Sequence, residues 1–227
     1  MLGLFIIIII SLILLKIFKI DFSAFGWKPT SERLKSFGIG FSISAIVCTV
    51  YFVLIIKTLD YNFRVNQDFT LKEFLFGAWW TFRSVLMEEL LFRGALLILA
   101  IKYLGKHKAC ILSSIIFGVY HWFSYNVFGS IMPMLNTFLI TFIGGLMFAY
   151  AYAETRSLYL PIALHFGWNL FTITIFSEGP LGDQLLITSG GQPMGYLYFI
   201  FLLYQILILP LFTFYYLKNR TKNAFLL

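Results

Sequence analysis

Two adjacent carboxylates, Glu88 and Glu89, an arginine, Arg93, and two histidines, His121 and His165, lie in stretches that are otherwise apolar. On the more lenient scales, an ionisable side chain at the centre of a bilayer costs roughly 2.5–3.5 kcal/mol, so such groups mark function by default. A carboxylate beside an imidazole can activate water, and an imidazole beside an amide such as Asn169 can hold a developing oxyanion. Together they are the parts needed to split an amide bond inside a membrane.

Spacing says which of them meet. Glu88 and His121 are 33 positions apart, on either side of a basic turn centred near Gly105. At 1.5 Å per residue, both lie roughly 25 Å from that turn on antiparallel helices, and hence at matching depth. Glu89 and Arg93 are four apart in the order that suits an ion pair. Adjacent helical residues point about 100° apart, so the pair is expected to draw Glu89 away and leave Glu88 facing His121. Phe117 sits one turn before His121 and walls the same face. His165 and Asn169 share another helical face. Measured from the Arg156 turn, His165 is only about 14 Å deep, a mismatch of roughly 10 Å that tilted helices would have to absorb.

The elements that must position these groups are transmembrane helices. The chain has 227 residues, of which 60% are hydrophobic and only 12% charged; a soluble domain carries about 25% charge. Continuous apolar runs of about 20 residues suit helices, not the alternating strands of a membrane barrel. The expected fold is an all-α bundle of seven spans: 2–18, 36–56, 73–103, 109–123, 133–153, 158–176 and 196–217. The third is long enough to hide a break, which would give eight segments. One membrane domain, 1–227, is expected, with its catalytic core at 73–176. Lys16, Lys19, Lys28, Arg33, Lys35, Lys102, Lys106, Lys108, Arg156, Lys218, Arg220 and Lys222 fall on one side of this topology, whereas the other side has only Lys57, Arg64 and Lys72. The basic side is predicted to be cytoplasmic and to include the C-terminus. The net charge of +7 is therefore read as topology, with no nucleic-acid partner. Met1–Ile20 lacks a basic leader and a small-residue cleavage site, and is read as a retained helix. Cys48 and Cys110 form no Cys-x-x-Cys pattern, so neither a disulfide framework nor a thiolate metal site is expected.

In order, Glu88-Glu89-x-x-x-Arg93 (with Phe92-Arg93-Gly94), Phe117-x-x-x-His121 and His165-x-x-x-Asn169 resemble the CAAX protease and bacteriocin-processing family of intramembrane proteases, which includes the type II CAAX prenyl endopeptidase. The resemblance implies a peptidase. Glu88 and His121 match the family's water-activating pair, His165 and Asn169 its oxyanion-stabilising pair, and Glu89 and Arg93 its supporting ion pair. It also implies a plasma-membrane protein, bacterial by its size, acting on a prenylated CAAX tail or on the leader of a bacteriocin or other peptide.

Metal use stays open at this stage. Glu88, His121 and His165 form a chemically acceptable zinc set for a metalloprotease. The spacing is not His-Glu-x-x-His, however, and a Glu88 acting as base cannot also be an ordinary ligand, so the reading leans to a metal-free glutamate mechanism. Two other functions compete. One is a proton-coupled transporter, which would favour an inverted repeat; none is present in the sequence. The other is a non-catalytic bacteriocin-immunity or scaffold protein of the same fold, which has no need for both halves of the site. His107 is read as a loop residue and Gly144-Gly145 as a close helix contact. Asn126, Asn136 and the seventh span carry no assigned role, and the oligomeric state is not legible.

Overall fold

The computed structural model describes residues 2–224, with side chains as far as Arg220; the Lys222 side chain lies outside the described residues. The chain is mostly helical. Helix α1 (Leu2–Ile17) leads through a short 3₁₀ turn, Phe22–Phe25, where the Asp21 carboxylate accepts the Ser23 amide. Helix α2 (Ser31–Thr58) starts where Thr30 Oγ1 accepts the Arg33 amide, which satisfies one of the donors left open at a helix start. After α3 (Leu71–Arg93) and α4 (Ala95–Leu104) come α5 (Lys106–Ser124) and α6 (Ile131–Thr155). Helix α7 (Tyr159–Leu170) continues as a π turn over Phe171–Ile175, and α8 (Leu197–Ala224) ends the described chain.

Three helices, Ser31–Thr58, Ile131–Thr155 and Leu197–Arg220, are long and apolar enough to cross a membrane by length and composition alone, and Leu2–Ile17 is a shorter apolar helix. The purely helical expectation needs one correction. Strand β1 (Tyr61–Val65) pairs antiparallel with β2 (Leu186–Gly190), from Tyr61 opposite Gly190 to Val65 opposite Leu186. Tyr61, Phe63 and Val65 alternate with Asn62 and Arg64, which is strand patterning. At five residues the stretch is too short for that alternation to stand out between two long apolar helices. This sheet clasps the end of α2 to the segment preceding α8.

The third expected span is broken at Gly94, whose φ of −78° and ψ of −135° leave the helical region. The break is a bend and not a reversal. A Cβ on Gly3 would lie 3.6 Å from Met87 Sδ, and Lys102 Nζ donates to Phe18 O at 3.1 Å. The α3–α4 rod therefore follows α1 in the same direction, and both end at the same face.

Helix α7 is the centre of the bundle, with every residue from Leu160 to His165 buried. It packs most closely on α2, where a Cβ on Gly167 would sit 2.8 Å from Phe41 O, and Ser44 Oγ donates to Leu164 O at 2.5 Å. Its starting depth removes the mismatch foreseen for His165. The turn at Ser157–Leu158 is buried, not superficial. Leu158 N donates to Phe25 O at 3.3 Å, and the Phe25 ring lies 3.2 Å from where a Gly94 Cβ would stand. Gly94 is eleven residues inward of the Gly105 turn, so α7 begins well inside the bundle.

Candidate active site

Helix α3 brings in the two carboxylates and Arg93, α5 brings in His121, and α7 brings in His165 and Asn169. Glu89 and Arg93 are completely buried and pair at 3.2 Å. Arg93 Nη2 also donates to Gly145 O at 3.0 Å, and its guanidinium lies 4.2 Å from the Phe117 ring centroid and 5.2 Å from that of Phe148. With the Phe92 ring centroid at 5.8 Å, the cation is thus held by one carboxylate, one carbonyl and three rings. Arg93 Nε and Glu89 Oε2 are buried with no hydrogen-bond partner among the described residues.

Gly145 makes this arrangement possible. A Cβ there would come within 2.9 Å of Phe117 Cδ1 and 3.2 Å of Arg93 Nη2. The expected Gly144-Gly145 contact is therefore real at Gly145, while Gly144 faces open space in the cavity. Gly145→Ala is expected to cost about 1–3 kcal/mol, the usual range for overpacking. Thermal unfolding in detergent measures the loss, and an unchanged midpoint would contradict it.

Glu88 is the carboxylate that faces the gap. Its Oε2 lies 3.8 Å from His121 Nε2 and 3.9 Å from His165 Nε2, and is buried with no hydrogen-bond partner. The expectation that adjacent carboxylates cannot serve one site needs correction. Glu89 Oε1 accepts from His165 Nδ1 at 2.8 Å, so Glu88 and Glu89 approach opposite nitrogens of the same ring. The 100° separation is real, but an imidazole lying between the two directions touches both.

Hydrogen bonding fixes the tautomers. His121 Nδ1 lies 2.8 Å from Phe117 O, and a carbonyl only accepts, so a proton is on Nδ1, and in the neutral ring Nε2 presents a lone pair. The same reasoning puts a proton on His165 Nδ1, against the Glu89 carboxylate. Unless another proton is present, three acceptors converge on one gap: Glu88 Oε2, His121 Nε2 and His165 Nε2. A water donating to two of them fits, because two hydrogen bonds of about 2.8 Å easily span these separations.

The walls are aromatic. His165 stacks on Phe148 with centroids 4.7 Å apart, and Phe117 meets His121 edge-on at 4.4 Å. Tyr125 closes on His121 at 5.1 Å. An adjoining cavity of about 130 Å³ runs from His121 and His165 past Asn169 to Thr141, Gln205 and Pro210. Asn169 lines it, half-buried, and its side-chain amide makes no hydrogen bond among the described residues. Among the described residues, no three His, Cys, Asp or Glu side chains are arranged to hold a metal ion.

Residues 70–171 match the family model described as Type II CAAX prenyl endopeptidase Rce1-like. The Rce1-like segment runs from the cap of α3 to the first residue of the π turn and contains all seven motif residues; α1, α2 and α8 lie outside it. The match supports a peptidase at the level of the family, in an integral membrane protein. Comparison with curated proteins and with solved structures finds no match.

Some of the lining was not foreseen. Phe148 falls four residues after Gly144, on the same face of α6. Gln205 is a lone amide within an apolar run, a pattern that itself signals an inward-facing position. His107, read as a loop residue, is the second residue of α5 and contacts Tyr150 OH through Nδ1 at 2.8 Å. Asn136 has a partner after all, the hydroxyl of Tyr198.

Proposed function

We propose that this protein is an intramembrane endopeptidase in which Glu88 is the general base. The observation that carries the reading is the unpartnered Glu88 Oε2 between two imidazole nitrogens of fixed tautomer. A water in that gap donates one hydrogen to His121 Nε2 and the other to Glu88. As the water attacks the scissile carbonyl, Glu88 takes its proton and then passes it to the leaving amine.

The oxyanion is received by the Asn169 amide and by His165 Nε2. His165 can donate from Nε2 only as an imidazolium, and the Glu89 carboxylate on Nδ1 supports that charge. Arg93 holds Glu89 in place and neutralises it when His165 is uncharged. No step is assigned to a metal ion. The substrate is a peptide or a lipid-anchored protein that reaches the site within the bilayer, in a bacterial plasma membrane with the basic face and C-terminus in the cytoplasm.

The test is cleavage of a peptide library by the detergent-purified protein in the presence of a chelator. Loss of one oxyanion donor lowers kcat by about 10²–10³-fold, and Asn169→Ala is expected to show that fall with KM little changed. A rise in KM at unchanged kcat would make Asn169 a ground-state contact and remove it from the oxyanion site.

A further inference from the structure

A groove of about 780 Å³ lies between α6 and α8, next to the start of α5. Its walls include Ile143, Leu146, Met147, Pro210 and Phe214, and are almost entirely hydrocarbon. The volume is within the range of ligand-binding clefts, roughly 300–1,000 Å³. Met147 and Pro210 also line the cavity beside the histidines, so the two spaces share a wall.

The polar groups of the groove collect at one end. His107, Tyr150, Glu154 and Lys218 stand there, and Lys106 pairs with Glu154 at 2.7 Å. Lys218 is exposed and makes no ion pair among the described residues. Helix α5 starts at the same end behind Gly105, with no side-chain cap, which leaves its first amide groups and the positive end of its dipole available to an anion. With Glu154 already matched by Lys106, the uncommitted charge is positive.

These residues belong to the first turn of α5, the last two turns of α6 and the late turns of α8. On the topology expected from the loop charges the polar end lies at the membrane surface, and the hydrocarbon walls run inward from it. A charged mouth above an oily slot has the polarity of a phospholipid. Basic pockets between helices on the cytoplasmic side, where the loop charges put this end, bind anionic headgroups.

We propose that this groove binds an anionic membrane phospholipid, with its phosphate at Lys218 and the start of α5 and an acyl chain along α6 and α8 as far as Met147 and Pro210. The lipid would then form part of the wall behind the catalytic cavity. Binding, and not peptidase activity, is the readout, so the result stands apart from the proposed function.

The experiment uses the full chain in a neutral detergent, with native mass spectrometry and thermal unfolding after addition of dioleoylphosphatidylglycerol, dioleoylphosphatidylcholine or glycerol phosphate. One phosphatidylglycerol per chain is expected, with a higher unfolding midpoint than phosphatidylcholine gives and no effect of glycerol phosphate. Lys218→Gln should weaken phosphatidylglycerol binding about fivefold, as one surface charge is worth about 1 kcal/mol toward an anionic lipid. Ile143→Trp, which fills the slot, should remove binding while Lys218 is intact. Equal binding of both lipids by wild type and Lys218→Gln would overturn the proposal in favour of a slot for any hydrocarbon, such as a substrate's own. Stabilisation by glycerol phosphate equal to that by phosphatidylglycerol would overturn it in favour of a bare anion site.

Discussion

Glu88→Gln is expected to lower kcat by about 10²–10⁴-fold, the contribution of a positioned general base, while leaving the bundle folded. The amide has the size of the carboxylate and still reaches the gap between the two histidines, but it cannot take a proton from water. Glu88 is not part of the Glu89–Arg93 pair, and its Oε2 makes no hydrogen bond whose loss would unsettle the helices. Cleavage assays beside thermal unfolding separate the two effects. Equal cleavage by wild type and Glu88→Gln would discard the mechanism. Intact cleavage with collapsed stability would recast Glu88 as a structural group.

Arg93→Ala should have the opposite profile. Removing one member of a buried ion pair leaves the other charge uncompensated and costs about 3–5 kcal/mol. Here Glu89 would remain fully buried with only His165 Nδ1 as partner, Gly145 O would lose its donor, and the space between the Phe117 and Phe148 rings would empty. A steep fall in the yield of monodisperse protein and in its thermal midpoint is expected, with activity falling as a consequence. Arg93→Met combined with Glu89→Gln removes both charges and roughly keeps the volume. That double variant should recover most of the stability, since a buried pair is often no better than apolar replacements, yet remain impaired in catalysis because His165 loses its anionic partner. If the double variant were no more stable than Arg93→Ala, the ring and carbonyl contacts of the guanidinium would outweigh its ion pair.

Sequence spacing agrees with the observed contacts where one helix or one hairpin decides the geometry. Glu89–Arg93 follows from a four-residue separation and Glu88–His121 from equal distances to one turn, and both pairs meet. It failed where a third element intervened. The roughly 10 Å shortfall at His165 came from placing the Arg156 turn at the surface, whereas that turn is seated on Phe25, which sequence spacing cannot show. The second role of Glu89 depends on an imidazole arriving from α7 between the two carboxylates. The five-residue strands were invisible for a simpler reason: their partners are more than a hundred positions apart, and neither stretch is long enough to declare itself alone.

That seat of Phe25 under α7 extends the structural support of the candidate site beyond the segment that carries the motifs. The family match starts at residue 70, yet the support that sets the height of α7, and with it of His165 and Asn169, lies in the segment 22–26. Residues 70–171 grafted elsewhere would bring all seven motif residues and lack the plinth that sets the height of α7. The motif residues stand on three helices, but their alignment is borrowed from a stretch of chain that carries no motif.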